Sequence, residues 1–312
     1  MSSNSDRHHA RWHRQDSATA IWAAFAREPG LTVVGVAGVV LAPLCLIAVA
    51  VRGRFIPPEG KMLDAATFCF GVGVFTLTVA LLLPLAGFTP TGRRRWRRGF
   101  YVFAIYGLVL EPLQAFRGLD PRFTEAGGPL DVIAGIIFGL TALSNTVLFL
   151  ILALRFFRSD VLTDRPALRL GIRYGATAVM LSFAVGIVMS VNSGRDIGEQ
   201  GDLMLSHALG VHGIQTIPAV ALMASPAGLI PPNTWLHAAG VGWLAACTAA
   251  LTQAVLGYPT LEPSILTALI VTGLAVWAAA AARSLIAWRR PAIRITGVDL
   301  PTMSEISGAR RR

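Results

Sequence analysis

L-T-V-V-G-V-A-G-V-V-L-A-P-L-C-L-I-A-V-A-V, from Leu31 to Val51, runs without a single charge. An α-helix needs about 20 mainly apolar residues to cross the hydrocarbon of a bilayer, so this stretch reads as a spanning helix. Working outward from it, seven further runs of similar character follow at about 65–88, 100–119, 130–154, 170–191, 204–224, 235–256 and 264–284, separated by short polar or Pro/Gly-rich breaks. The chain is therefore expected to be an all-α, polytopic integral membrane helix bundle of about eight transmembrane helices. It divides into a tail over 1–30, a membrane domain over 31–284 and a basic tail over 285–312.

Composition agrees with that reading. Of the 312 residues, 54% are hydrophobic and 14% charged, whereas a soluble domain carries about 25% charged residues. A mean hydropathy of +0.60 argues against a disordered chain, a coiled coil or a nucleic-acid-binding domain, despite the net charge of +10. Cys45, Cys69 and Cys247 lie in apolar segments with no C-x-x-C pair, which points away from a disulfide framework and a thiolate metal site.

Charge placement orients the chain. With the N-terminus inside, the cytoplasmic side receives 20 basic residues and the other side six, an asymmetry that puts both termini in the cytoplasm. The richest cluster, R-R-R-W-R-R from Arg93 to Arg98, is expected in the second connection, with anionic lipid at the cytoplasmic face as its partner. Trp96 and Trp235 fit an aromatic belt at the interface. His8, His9 and His13 read as solvated tail residues. Pro43, Pro84, Pro112 and Pro218 lie within spans, where each removes a helix hydrogen bond. Gly135 with Gly139, and Gly171 with Gly175, suit close helix packing. No internal repeat is legible.

Ionisable residues inside a span cost free energy to insert and so mark candidate functional sites. In the third span stand Glu111, Gln114 and Arg117, and in the sixth His207, His212 and Gln215. With antiparallel helices rising ~1.5 Å per residue, Glu111, Gln114, His212 and Gln215 come to similar depth in the outer half. Arg117, Asp120, Arg122, Asp131, Asp196, Glu199 and Asp202 would crowd the mouth above them. The expectation is an outward-facing polar pocket in which Glu111 and His212 titrate, Gln114 and Gln215 donate hydrogen bonds, and Arg117 contacts an anion.

Such a pocket suits a small ligand or proton-coupled transport. A quinone carbonyl or a haem would instead make the protein a membrane-embedded oxidoreductase, and a self-satisfied cluster would make it a structural or assembly subunit. His207 and His212 diverge by about 140° on one helix, so they cannot supply both axial ligands of one haem. Their i, i+5 spacing also departs from the i, i+4 pairing of helical zinc sites, and no metal is expected.

Two stretches carry a resemblance: E-P-L-Q-A-F-R-G-L-D-P-R-F from Glu111 to Phe123, with Gly128 to Asp131 following, and D-L-M-L-S-H-A-L-G-V-H-G-I-Q from Asp202 to Gln215. They resemble an uncharacterised group of bacterial multi-pass membrane proteins sharing E-x-x-Q-x-x-R-G and H-x-x-x-x-H-x-x-Q elements. The resemblance implies a bacterial cytoplasmic (inner) membrane location. It marks Glu111, Gln114, Arg117, Gly118, Asp131, His207, His212 and Gln215 as signature positions without naming a reaction. Where that group carries S-H-F-N after the R-G element, this chain has Pro121, Arg122, Phe123 and Thr124.

Overall fold

The computed structural model describes residues 22–224 and 233–289. They form an all-α bundle of eight long helices: α1 (Pro29–Arg52), α2 (Met62–Leu82), α3 (Pro90–Phe116), α4 (Pro129–Phe157), α5 (Pro166–Val191), α6 (Met204–Ala224), α7 (Asn233–Val255) and α8 (Ile265–Arg289). Seven are long and apolar enough to cross a membrane. The eighth, α6, is made more polar by His207, His212 and Gln215, and packs along α5. The tail histidines His8, His9 and His13, Pro231 and the C-terminal arginines from Arg290 onward lie outside the described residues.

Proline sets several helix starts. Pro29, Pro90, Pro129 and Pro166 open α1, α3, α4 and α5, where the missing N–H costs nothing because the first turn has no intrahelical acceptor for it. Thr89 caps α3 by accepting from Gly92 N at 3.1 Å. Pro84 falls in a 3-10 turn, Leu83–Leu85, that ends α2, so it terminates the helix and does not kink it.

The early start of α3 corrects the expected second connection. Arg93 to Arg98 occupy the first turns of the helix, and Arg93 and Arg97, one turn apart, both pair with Glu28, which is 0% exposed. Trp96 is not at an aromatic belt either. It is buried, donates to Leu148 O at 2.7 Å and stacks on Phe100. Trp235 is 40% exposed and lies under the Arg283 guanidinium.

The bundle consists of two copies of one plan. In each, a helix leads through a two-stranded antiparallel hairpin into a second helix, and two more helices follow. The first hairpin pairs Phe55–Ile56 (β1) with Gly60–Lys61 (β2), and the second pairs Asp196–Ile197 (β3) with Gly201–Asp202 (β4). The bonds around them match one for one. Met62 N donates to Arg54 O and Leu203 N to Arg195 O; Glu59 N donates to Gly118 O and Gln200 N to Gly257 O; Leu119 N donates to Gln114 O and Tyr258 N to Gln253 O. Gly118 (φ +82°) and Gly257 (φ +77°) both adopt the left-handed conformation that favours glycine and close the two equivalent corners.

The first helix pair of each unit is close-packed at glycines. A Cβ on Gly38 would stand 2.7 Å from Gly73 Cα, and one on Gly175 would stand 2.7 Å from Ile214 Cα. Units one (α1–α4) and two (α5–α8) touch through α2 with α6 and α4 with α5. The core lies at this seam: Phe183 of α5 inserts against Phe75 of α2 and Phe149 of α4, with ring centroids 6.1 and 5.6 Å away. Both hairpins and the α3–α4 and α7–α8 connections gather at one end of the bundle, opposite Glu28 and its arginines.

Candidate functional site

At the hairpin end of unit one the predicted residues Glu111, Gln114, Arg117 and Asp131 come together. The reason is local. Gly118 turns the chain sharply after α3, and Asp131, at the third position of α4, caps that helix by accepting from Gly128 N at 3.0 Å. Asp131 Oδ1 also accepts from Gln114 Nε2 at 3.0 Å and from Arg117 Nη1 at 2.6 Å, while Arg117 donates to Gln114 Oε1 at 2.6 Å. These three side chains form a closed ring that locks the end of α3 to the start of α4.

Glu111 lies one turn deeper and is 1% exposed. It is held by Arg122, whose Nη2 donates to Oε2 at 2.7 Å. The Arg122 guanidinium caps a V formed by the tilted rings of Phe68 (α2) and Phe138 (α4), 5.4 and 5.1 Å from their centroids. Its backbone is placed by Gly135, where a Cβ would stand 2.6 Å from Arg122 O. Gly135 therefore admits a loop carbonyl and not a neighbouring helix, and Gly139 meets nothing within 4 Å, which corrects the packing role expected for that pair. Gly171 and Gly175 do contact α6 closely, as expected.

Glu59, in the first hairpin, fastens the α3–α4 connection from above. Its carboxylate accepts from Thr124 Oγ1 at 2.6 Å and from the backbone N–H groups of Asp120, Glu125 and Ala126. The Thr124 hydroxyl, followed by those three amides, holds the carboxyl down to about 2 by stabilising its charged form.

The α6 residues are elsewhere. His207 packs on α5, its Nδ1 2.9 Å from Ser182 O, and lies within electrostatic range of Arg122. His212 Nδ1 stands 3.3 Å from the side-chain amide of Gln215 on its own helix. No hydrogen bond or ion pair among the described residues joins His212 or Gln215 to Glu111 or Gln114. The seven predicted site residues thus form a hydrogen-bonded network in unit one, a histidine of α6 packed on α5 and a local pair on α6. Of the acids expected at the mouth, Asp196 and Asp202 belong to the second hairpin, where Asp202 pairs with Arg195 at 3.5 Å and accepts from Met204 N at 2.8 Å.

His237 bonds the Tyr174 hydroxyl at 2.8 Å, so the three membrane histidines are held by three different partners. No three His, Cys, Asp or Glu among the described residues converge on a metal-sized site.

Unit two carries a neutral version of the same corner. Gln253, the counterpart of Gln114, donates to Pro259 O and Thr260 O and accepts from Thr267, the third residue of α8, as Gln114 bonds the third residue of α4. Ala250 stands where unit one has Glu111.

Sequence reasoning missed Glu28, Glu59, Phe68 and Phe138. The available signal for Glu59 was the short hairpin motif G-R-x-I-x-x-x-G, at Gly53–Gly60 and again at Gly194–Gly201. No family model matches this chain, and neither a curated protein nor a solved structure matches it.

Proposed function

We propose that this protein is a proton-coupled transporter of a small polar ligand in the bacterial cytoplasmic membrane, with Glu111 as its titrating group. The observation that carries the reading is a carboxylate, 1% exposed inside a spanning helix of the first repeat unit and held by a single guanidinium. A buried carboxylate is stable as an anion beside its cation and as a neutral acid when that cation leaves, so moving Arg122 would couple loop position to proton binding. Parallel repeats related by an axis along the membrane normal are one architecture of secondary transporters, in which the halves rock about the central site. The arginine excess places the end bearing Glu28 in the cytoplasm and the hairpin end outside. Exposed Arg94, Arg95 and Arg98 are suited to anionic headgroups there.

The test uses proteoliposomes loaded with a pH-sensitive dye and a panel of small amines, guanidines and amino acids. The expected result is solute-dependent proton movement with wild type and none with Glu111→Gln. Proton movement that survives in Glu111→Gln, or no movement with any solute, would overturn the reading.

A second reading, a structural subunit, is favoured by the closed ring of Gln114, Arg117 and Asp131, which can act as packing glue. In that case Glu111→Gln lowers stability and changes no flux.

A further inference from the structure

Position by position, the corner of unit two shows what the fold needs there. The equivalents of Phe68, Glu111 and Phe138 are Leu209, Ala250 and Leu274, which pack in one apolar cluster with Ala246 and Ile270. At these three positions the same backbone is therefore built with aliphatic side chains. Unit one instead sets a buried carboxylate beneath two aromatic faces, a combination costly to desolvate and unnecessary for the helix plan.

What occupies it is informative. The Arg122 guanidinium bonds the carboxylate and faces both rings, which is how a planar organic cation is recognised: one charge-assisted hydrogen bond below and ring quadrupoles alongside. Arg122 reaches the site from a connection between helices, and its side chain is 32% exposed. It is thus tethered at the surface and not buried in the bundle.

We propose that Glu111, Phe68 and Phe138 form a binding site for a small guanidinium or alkylammonium cation, and that Arg122 is a tethered occupant which such a cation displaces. This deepens the transport reading by naming the class of ligand, and it rests on that reading for its biological use but not for its test. Displacement pairs the carboxylate with the entering cation, and Glu111 takes up a proton only when neither cation is seated on it. Gly135 allows the Arg122 backbone to seat close to α4 when the tether is home.

The experiment measures binding, with no flux involved. Purified full-length Arg122→Ala in detergent is titrated with methylguanidinium and with methylammonium, against matched sodium chloride, by thermal unfolding and calorimetry. Saturable stabilisation is expected. The affinity should exceed that of wild type by about tenfold or more, because the resident arginine competes for the site. Adding Glu111→Gln should abolish the binding, and Phe68→Leu with Phe138→Leu, which copies unit two, should weaken it.

Arg122→Gln provides a second folded background should the alanine variant aggregate. No saturable shift with either cation in a folded Arg122 variant would overturn the proposal, as would equal affinity in wild type and variant. Binding without any solute-driven proton movement would leave the cation site standing and remove the transporter reading.

Discussion

Arg122 Nη2 meets Glu111 Oε2 at 2.7 Å, and the two partners differ in exposure: the arginine side chain is 32% exposed and the carboxylate side chain 2%. Removing one partner is therefore unequal to removing the other. Without Glu111, the arginine can turn to water; without Arg122, the carboxylate is stranded. We expect Arg122→Ala to cost about 3 kcal/mol, Glu111→Ala clearly less, and the double variant less than Arg122→Ala alone. Denaturant titration of the four proteins in one detergent checks this, and equal single-variant losses would contradict it.

Glu28 presents the complementary case at the opposite end. It is 0% exposed and has two cations, Arg93 and Arg97, each 29% exposed. Either arginine alone keeps the carboxylate paired, so Arg93→Ala and Arg97→Ala should each be mild. Their combination should cost about 3 kcal/mol or more, beyond the sum of the two, because only then is the buried charge left alone. Thermal unfolding of the three variants reads the non-additivity.

The two-unit plan predicts matching glycine phenotypes. A Cβ at Gly60 would collide with Ala115 O, and one at Gly201 with Ala254 O, each a backbone atom that cannot step aside. Gly60→Ala and Gly201→Ala should each destabilise by about 1–3 kcal/mol. Gly71 has nothing within 4 Å of a built Cβ, and Gly71→Ala in the middle of α2 should be neutral or stabilising by up to about 1 kcal/mol. Loss at only one hairpin would count against their equivalence.

The Glu59 clasp sets a pH dependence. Its carboxyl lies at about 2 in the folded protein against 4.5 unperturbed. A depressed carboxyl contributes stability that is present above pH 4.5 and is lost as pH falls towards 2. The stability gap between wild type and Glu59→Gln should therefore hold from pH 7 to about 5 and close progressively below it. A gap unchanged down to pH 3 would show that the charge of Glu59 is not what fastens the α3–α4 connection.

The helices were legible because a membrane span is a local property. Twenty apolar residues and a break suffice, and the eight expected runs match the eight helices to within a turn or so at most ends. The largest exception is α3, which begins ten residues early. There the basic run from Arg93 lowers the hydropathy of residues that are nonetheless helical, because Thr89 and Pro90 start the helix and Glu28 neutralises two of the charges.

The candidate site was half legible. Gln114, Arg117 and Asp131 sit around one tight corner, within reach along the chain, and Glu111 stands out as a charge inside a span. The internal repeat escaped notice because its shared residues are few and scattered: G-R-x-I-x-x-x-G in the hairpins and Q-A-x-x-G at Gln114–Gly118 and Gln253–Gly257.

Sequence alone determined that this chain is a multi-pass membrane protein, where its helices run, and which charges stand apart from the arginine asymmetry. Hydropathy and charge count are sums over neighbours in the chain, so no folded contact is needed to evaluate them. Only the tertiary structure decided that Glu111 faces Arg122 between Phe68 and Phe138 while His212 turns to Gln215 on its own helix. Which face of a spanning helix looks inward depends on packing against other helices. Within each unit that packing is set by close glycine contacts, and between the units by the interleaved rings of Phe75, Phe149 and Phe183, neither of which has a period along the chain.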